Sequence, residues 1–125
     1  MFNPEDILIN IETHFIESQS QPKQNKYVYA YTITIVNNSE YKVQLLSRHW
    51  IIKDANFKME EVLGEGVVGE KPVLSPDQGF QYTSGAVLET EVGTMEGFYH
   101  FQLENEEIVK VPIPKFILSV PRQLH

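Results

Sequence analysis

From Tyr27 to Val36 the chain alternates without a break: Tyr27, Tyr29, Tyr31, Ile33 and Ile35 on one parity, Val28, Ala30, Thr32, Thr34 and Val36 on the other. A period of two in aromatic and β-branched residues predicts a strand, closed by the turn signal Asn37-Asn38-Ser39. Ile7 to Phe15 repeats the pattern, with Ile7, Ile9, Ile11 and Phe15 opposite Asn10, Glu12 and His14. So does Met95 to Leu103, with Met95, Tyr99, Phe101 and Leu103 opposite His100, Gln102 and Glu104. Half-polar strands of this kind belong to antiparallel sheets with one face in water.

Shorter segments fill the gaps. Val43 to Lys53 reads as a strand of mixed register, because Arg48 shares its parity with Leu46, Trp50 and Ile52; a bulge near Ser47-Arg48 resolves the conflict by shifting the phase. Phe57 to Leu63, Val67 to Lys71 and Gly79 to Thr83 read as short strands. A two-residue hairpin at Asn105-Glu106 leads into a last strand from Ile108 to Ile113. Pro112, Pro114 and Pro121 confine the C-terminal stretch to a sheet edge or an extended tail. Gln19 to Lys26 is a polar loop, Thr83 to Leu88 an irregular segment carrying the apolar Val87 and Leu88, and no helix of useful length is expected. About seven or more antiparallel strands predict an all-β sandwich of immunoglobulin or fibronectin type III kind, with Trp50 in the core of the third strand. A closed barrel is the alternative that periodicity leaves open.

Composition narrows the classes. A chain of 125 residues is expected to form one domain, with its core from about Ile7 to Pro121. It contains no cysteine, so disulfides, thiolate metal sites and a Cys nucleophile are excluded. The N-terminus lacks a basic region followed by an apolar run, and no apolar run approaches the ~20 residues that span a bilayer. A cytoplasmic protein without membrane insertion is expected. Net charge is −7, with ten Lys and Arg scattered along the chain, which argues against a nucleic-acid surface.

Gly64-Glu65-Gly66-Val67-Val68-Gly69 spells G-x-G-x-x-G, a phosphate-loop pattern that has a mechanism only between a strand and the start of a helix. Pro72, Pro76 and Asp77-Gln78-Gly79 follow and leave no room for that helix. A backbone nest for an anion is the remaining ligand reading. It is opposed by Glu65 and Glu70, with Lys71 as the one nearby cation. The favoured reading is a tight crossing between strands, in which glycines supply positive φ or close backbone approach.

Arg48-His49-Trp50 is the densest chemical cluster. Arg48 suits a carboxylate or phosphate, and His49 a proton or a metal. No nucleophile–base–acid set supports catalysis. The plainer expectation pairs Arg48 with Asp54 or Glu60 and leaves His49 facing solvent or bonded to a carbonyl. His14, His49, His100 and His125 lack ligand spacing, although His14 and His100 would share a site with Glu12 or Gln102 if their strands were neighbours. Glu104, Glu106 and Glu107 read as a solvated acidic turn.

Several strings are specific in a further sense. Tyr31-Thr32-Ile33-Thr34-Ile35, Leu45-Leu46-Ser47-Arg48-His49-Trp50-Ile51-Ile52, Gly64-Glu65-Gly66-Val67-Val68-Gly69-Glu70, Tyr82-Thr83-Ser84-Gly85 and Met95-Glu96-Gly97-Phe98-Tyr99 stand in the order and spacing of the ApaG family. The chain resembles that family from about Ile7 to Pro121. It departs from it at Asn56-Phe57, where Asn-Gly is the expected pair, and at Ala86, where many relatives carry cysteine. The resemblance implies a fibronectin type III-like sandwich and an indirect association with cobalt and magnesium resistance. It also implies a gene neighbour that hydrolyses diadenosine tetraphosphate, and use of the domain in an F-box protein and a polymerase-interacting protein.

These readings predict a non-enzymatic binding domain without cofactor, monomer or homodimer, that engages an unidentified protein partner. The candidate surface comprises Arg48, His49, Gly64, Gly66, Gly69, Ser84 and Gly85. The alternative is a sensor for a polyphosphate nucleotide, pyrophosphate or a divalent metal.

Overall fold

The computed structural model describes residues 1–121 and places eight strands in two antiparallel sheets: β1 (Ile7–Phe15), β2 (Tyr27–Asn37), β3 (Val43–Asp54), β4 (Met59–Glu65), β5 (Val73–Leu74), β6 (Gly79–Leu88), β7 (Val92–Leu103) and β8 (Ile108–Ser119). One sheet runs β1-β2-β6; the other runs β4-β3-β7-β8, with the short β5 also paired to β3. This is the expected immunoglobulin/fibronectin type III-like β-sandwich. The alternating residues of the sequence supply its core, with Tyr29, Tyr31, Ile33 and Ile35 of β2 facing Met95, Tyr99, Phe101 and Leu103 of β7, all buried. Trp50, 2 % exposed, sits at the centre, edge-on to Tyr31 (5.6 Å between ring centroids), Phe116 (5.8 Å) and Tyr99 (6.4 Å).

Buried polar groups tie the layers together. Asn37 at the end of β2 is fully buried; its Nδ2 donates to the carbonyls of Tyr41 and Leu74, and its Oδ1 accepts from the Ser39 amide and hydroxyl. The turn signal is therefore also an anchor for β5. The Tyr82 and Tyr99 hydroxyls meet at 2.6 Å across the sandwich, β6 to β7. This buried hydrogen bond links the two sheets of a chain that has no cystine to do so.

Several boundaries differ from expectation, each for a local reason. The bulge in β3 falls between Leu45 and Ser47, one step earlier than predicted. It brings Arg48 into register with the buried Tyr99, so Arg48 turns inward with Trp50. Val67 to Lys71 is not a strand: Val67 and Glu70 exchange both backbone hydrogen bonds around Val68 (φ 43) and Gly69 (φ 82), a two-residue turn of the type that tight hairpins favour. The strand expected there is β5, a few residues on. β4 begins at Met59 because Phe57 takes φ 65, the conformation that the Asn-Gly of the family pattern would hold more easily.

Thr83 to Leu88 is not irregular. It continues β6, with Ser84, Ala86 and Leu88 on the inner parity. The hairpin after β7 has three linking residues rather than two, with Glu106 at φ 70 and the Glu106 amide donating to Leu103. β8 runs on to Ser119 as an edge strand; opposite Met95 to Gly97 its register shifts past Pro114-Lys115. The polar loop Gln19 to Lys26 follows one single 3-10 turn, Glu17–Gln19, and contains another, Pro22–Gln24. Among the described residues no helix is long and apolar enough to cross a membrane.

Candidate functional site

The glycine motif is a device for seating Arg48. Arg48 pairs in register with Gly64, and a Cβ on Gly64 would lie 2.5 Å from the guanidinium, so the missing side chain is the space that the guanidinium fills. From there Arg48 Nη1 donates to the carbonyl oxygens of Glu65 (3.1 Å) and Gly66 (2.9 Å). Asp54 and Glu60, the acids expected as its partners, are not involved. Gly66 (φ 60) has a second constraint, since a Cβ there would lie 2.3 Å from the Glu70 carbonyl oxygen.

Three of the backbone donors around this turn are engaged. The Gly66 amide donates to Leu46, Val67 to Glu70, and Glu70 to Val67. Lys71, the second cation beside the motif after Arg48, is ion-paired with Glu65 and holds that carboxyl below the usual carboxylate range. The geometry is that of a strand crossing closed on itself.

Arg48 borders a group of buried phenols. Burial pushes Tyr82 and Tyr99 well above the ordinary tyrosine range, and the Arg48 charge pulls weakly the other way. Burial raises Tyr31 as well, opposed by Ser84 and Arg48. Ser84, on β6, lies opposite Tyr31 in the ladder, and Gly85 lies opposite Ala30. Arg48 from one sheet and Ser84 from the other thus both act on the Tyr31 phenol. Gly69 sits apart at the tip of its turn, and Gly85 is in the three-stranded sheet. The seven predicted residues do not form one continuous patch.

His49 faces outward and nucleates a different cluster. In the ladders it lies opposite Leu63 of β4 and Phe98 of β7, and Phe98 lies opposite Pro112 of β8. The row Leu63–His49–Phe98–Pro112 crosses the outer face of the five-stranded sheet, from β4 to β8. His49 Nε2 is 2.9 Å from Glu61 Oε2, in place of the expected carbonyl or solvent. The His49 and Phe98 rings are 4.7 Å apart, and Lys110 Nζ sits 3.9 Å above the Phe98 ring. His100 Nδ1 lies 3.2 Å from Ser47 Oγ on the same face. Leu63 is 72 % exposed.

His14 lies in β1 of the other sheet, so the condition for a shared His14–His100 site, neighbouring strands, is not met. Among the described residues no group of three or more His, Asp or Glu converges as a metal site. His125 lies outside the described residues. The sequence carried a signal for Phe98 that parity reading passed over, because this aromatic shares the polar parity of His100 and Gln102. A hollow of about 700 Å³ between Phe15, Pro22, Tyr27 and Val120 contains none of the predicted site residues.

Comparison with known proteins gives a consistent result. The ApaG domain profile matches residues 17–103. The chain is 46 % identical to Protein ApaG of Pectobacterium atrosepticum over the full length of both, and 50 % identical to Protein ApaG of Shewanella sediminis, covering 97 % of this chain and 96 % of that one. It is also similar to the crystal structure of a putative ApaA protein from Bordetella pertussis, with a TM-score of 0.91 and 44 % identity over 94 % of this chain and 96 % of that one. The glycine turn that seats Arg48, the outward His49 and the sandwich that holds both are therefore features of a chain that belongs to the ApaG family.

Proposed function

We propose that this domain is a non-enzymatic protein-binding module that recognises its partner through the outer face of the five-stranded sheet, centred on His49 and Phe98. The observation that carries the reading is the row Leu63–His49–Phe98–Pro112. It places apolar and aromatic groups, including the highly exposed Leu63, on an open sheet face of an acidic chain. Aromatic anchors with a polar surround of Glu61, Ser47, His100 and Lys110 have the composition of an interaction hot spot. Arg48 and the glycine turn support this face from behind by fixing β4 against β3. Any influence on cobalt or magnesium tolerance then passes through the partner, since the reading gives the domain no transport role.

The test compares capture of binding proteins by the unmodified chain and by a Leu63→Lys, Phe98→Ser double variant of unchanged circular dichroism. Loss of the captured species supports the outer face, and an identical capture profile overturns it. A thermal-shift screen with dinucleoside polyphosphate, pyrophosphate, cobalt and magnesium runs beside it. A ligand that binds the native state raises the melting temperature, and such a rise would favour the sensor reading instead.

A further inference from the structure

The two sheets have four edges, and three of them carry the features by which sheets resist pairing with strangers. β1 presents Glu12 and His14, β4 presents Glu60, Glu61 and Glu65, and β8 presents Lys110, Pro112, Pro114 and Lys115. β6 is different. Its ten residues, Gly79 to Leu88, contain neither a charge nor a proline, and among the described residues its ladder partner is β2 alone.

The phase of the ladder shows which groups are open. Asn38 donates to Asp6, and Ile16 donates to the Val28 carbonyl, so the even-numbered backbone groups of β2 point to β1 and the odd-numbered ones to β6. The Asn37 amide accordingly donates to Gln78 at the start of β6. Continuing the antiparallel alternation, the N–H and C=O groups of Gly79, Gln81, Thr83, Gly85 and Val87 point away from β2. All five residues are exposed.

We propose that β6 is a strand-acceptor edge, on which an extended segment of a partner protein adds to the three-stranded sheet by backbone hydrogen bonding. Charge at the two ends of the edge defines the segment. Asp77 precedes β6; Glu89, which is ion-paired with Lys58, and Glu91 follow it, and the chain as a whole carries −7. The segment that fits is uncharged and β-branched through its middle, with a basic residue at each end. A second copy of this chain fits poorly: antiparallel pairing of two β6 strands about Thr83 sets Asp77 of each copy against Glu89 of the other. The site is independent of the outer face around His49, because β6 belongs to the opposite sheet.

The test uses isotope-labelled protein and the synthetic peptide Lys-Thr-Val-Thr-Val-Thr-Val-Thr-Lys at millimolar concentration. The expected result is that amides of Gly79, Gln81, Thr83, Gly85 and Val87 shift and slow in hydrogen exchange by about tenfold or more, while those of Phe80, Tyr82 and Ser84 change little. A peptide with glutamate at both ends should bind about tenfold more weakly. Thr83→Pro should abolish the effect by removing one open N–H. Thr83→Lys, which leaves the β2 ladder intact, should weaken it even if the proline variant does not fold. Absence of shifts along β6, or shifts centred on His49 and Phe98, overturns the proposal. Shifts along β6 that appear on concentrating the protein without peptide overturn it in favour of a second copy. Failure at β6 leaves the outer-face reading standing, since that reading is scored on Leu63 and Phe98.

Discussion

Gly66 and Gly69 hold similar dihedral angles for different reasons, and alanine separates them. At Gly69 (φ 82) the space around a new Cβ is open, so Gly69→Ala meets only the left-handed backbone penalty, about 1 kcal/mol. At Gly66 (φ 60) the Cβ also runs into the Glu70 carbonyl, so Gly66→Ala should cost about 2–3 kcal/mol and loosen the turn. Urea denaturation of the two variants reads the difference directly. The glycines were legible as turn residues from their letters and from the prolines behind them. The partner of Arg48 was not, because an arginine that bonds backbone carbonyls leaves no matching acid in the sequence. Pairing by charge pointed to Asp54 and Glu60, whereas the bulge at Leu46 aims the side chain inward at the Glu65 and Gly66 carbonyls.

Two turns are built from residues that fit them badly. Val68 is β-branched, 55 % exposed and at φ 43; Phe57 is 94 % exposed and at φ 65. Val68→Asn, which creates Asn-Gly at the hairpin tip, and Phe57→Gly, which creates Asn-Gly before β4, should each raise stability by about 1 kcal/mol. An unchanged or lower melting temperature for both would contradict this account of the turns. Long alternating strands such as β2 and β7 could be read from periodicity because each faces a core on one side and water on the other. The second half of β6 could not. Ser84, Gly85 and Ala86 are too small to show a hydrophobic phase, and the turn composition of Ser-Gly outweighed the inward parity of Tyr82 and Leu88. Val67 to Lys71 misled in the opposite direction: Val67 is fully buried, but as the base of a turn rather than within a strand.

Across the whole molecule, the Tyr82–Tyr99 hydrogen bond joins the two sheets within a largely apolar interface, beside the Asn37 link to Leu74. Tyr82→Phe and Tyr99→Phe should each cost about 1–2 kcal/mol, and the double variant less than the sum of the two, because the pair loses one shared bond. Burial raises both phenols above the ordinary value of 10.0. The folded state therefore keeps their protons where the unfolded chain would release them. Their contribution is fully present below pH about 10 and declines as pH rises beyond it. Alkaline titration followed by tyrosinate absorbance should show a group of phenols that ionises only on unfolding; smooth titration of all six tyrosines in the native state would refute this.

The strand order β4-β3-β7-β8 has one more consequence, and it concerns time. β3 finds its inner neighbour only in β7, after β4, β5 and β6 have been made, and β8 completes the sheet from the end of the chain. A nascent chain on the ribosome consequently exposes β3, with Leu45, Trp50 and Ile52, while most of the remaining sequence is still being synthesised. Closure of such distant pairs is slow, on the scale of milliseconds to seconds for sandwiches of this kind. The nascent chain, rather than the finished domain, is therefore the state in which this apolar surface is open to wrong association.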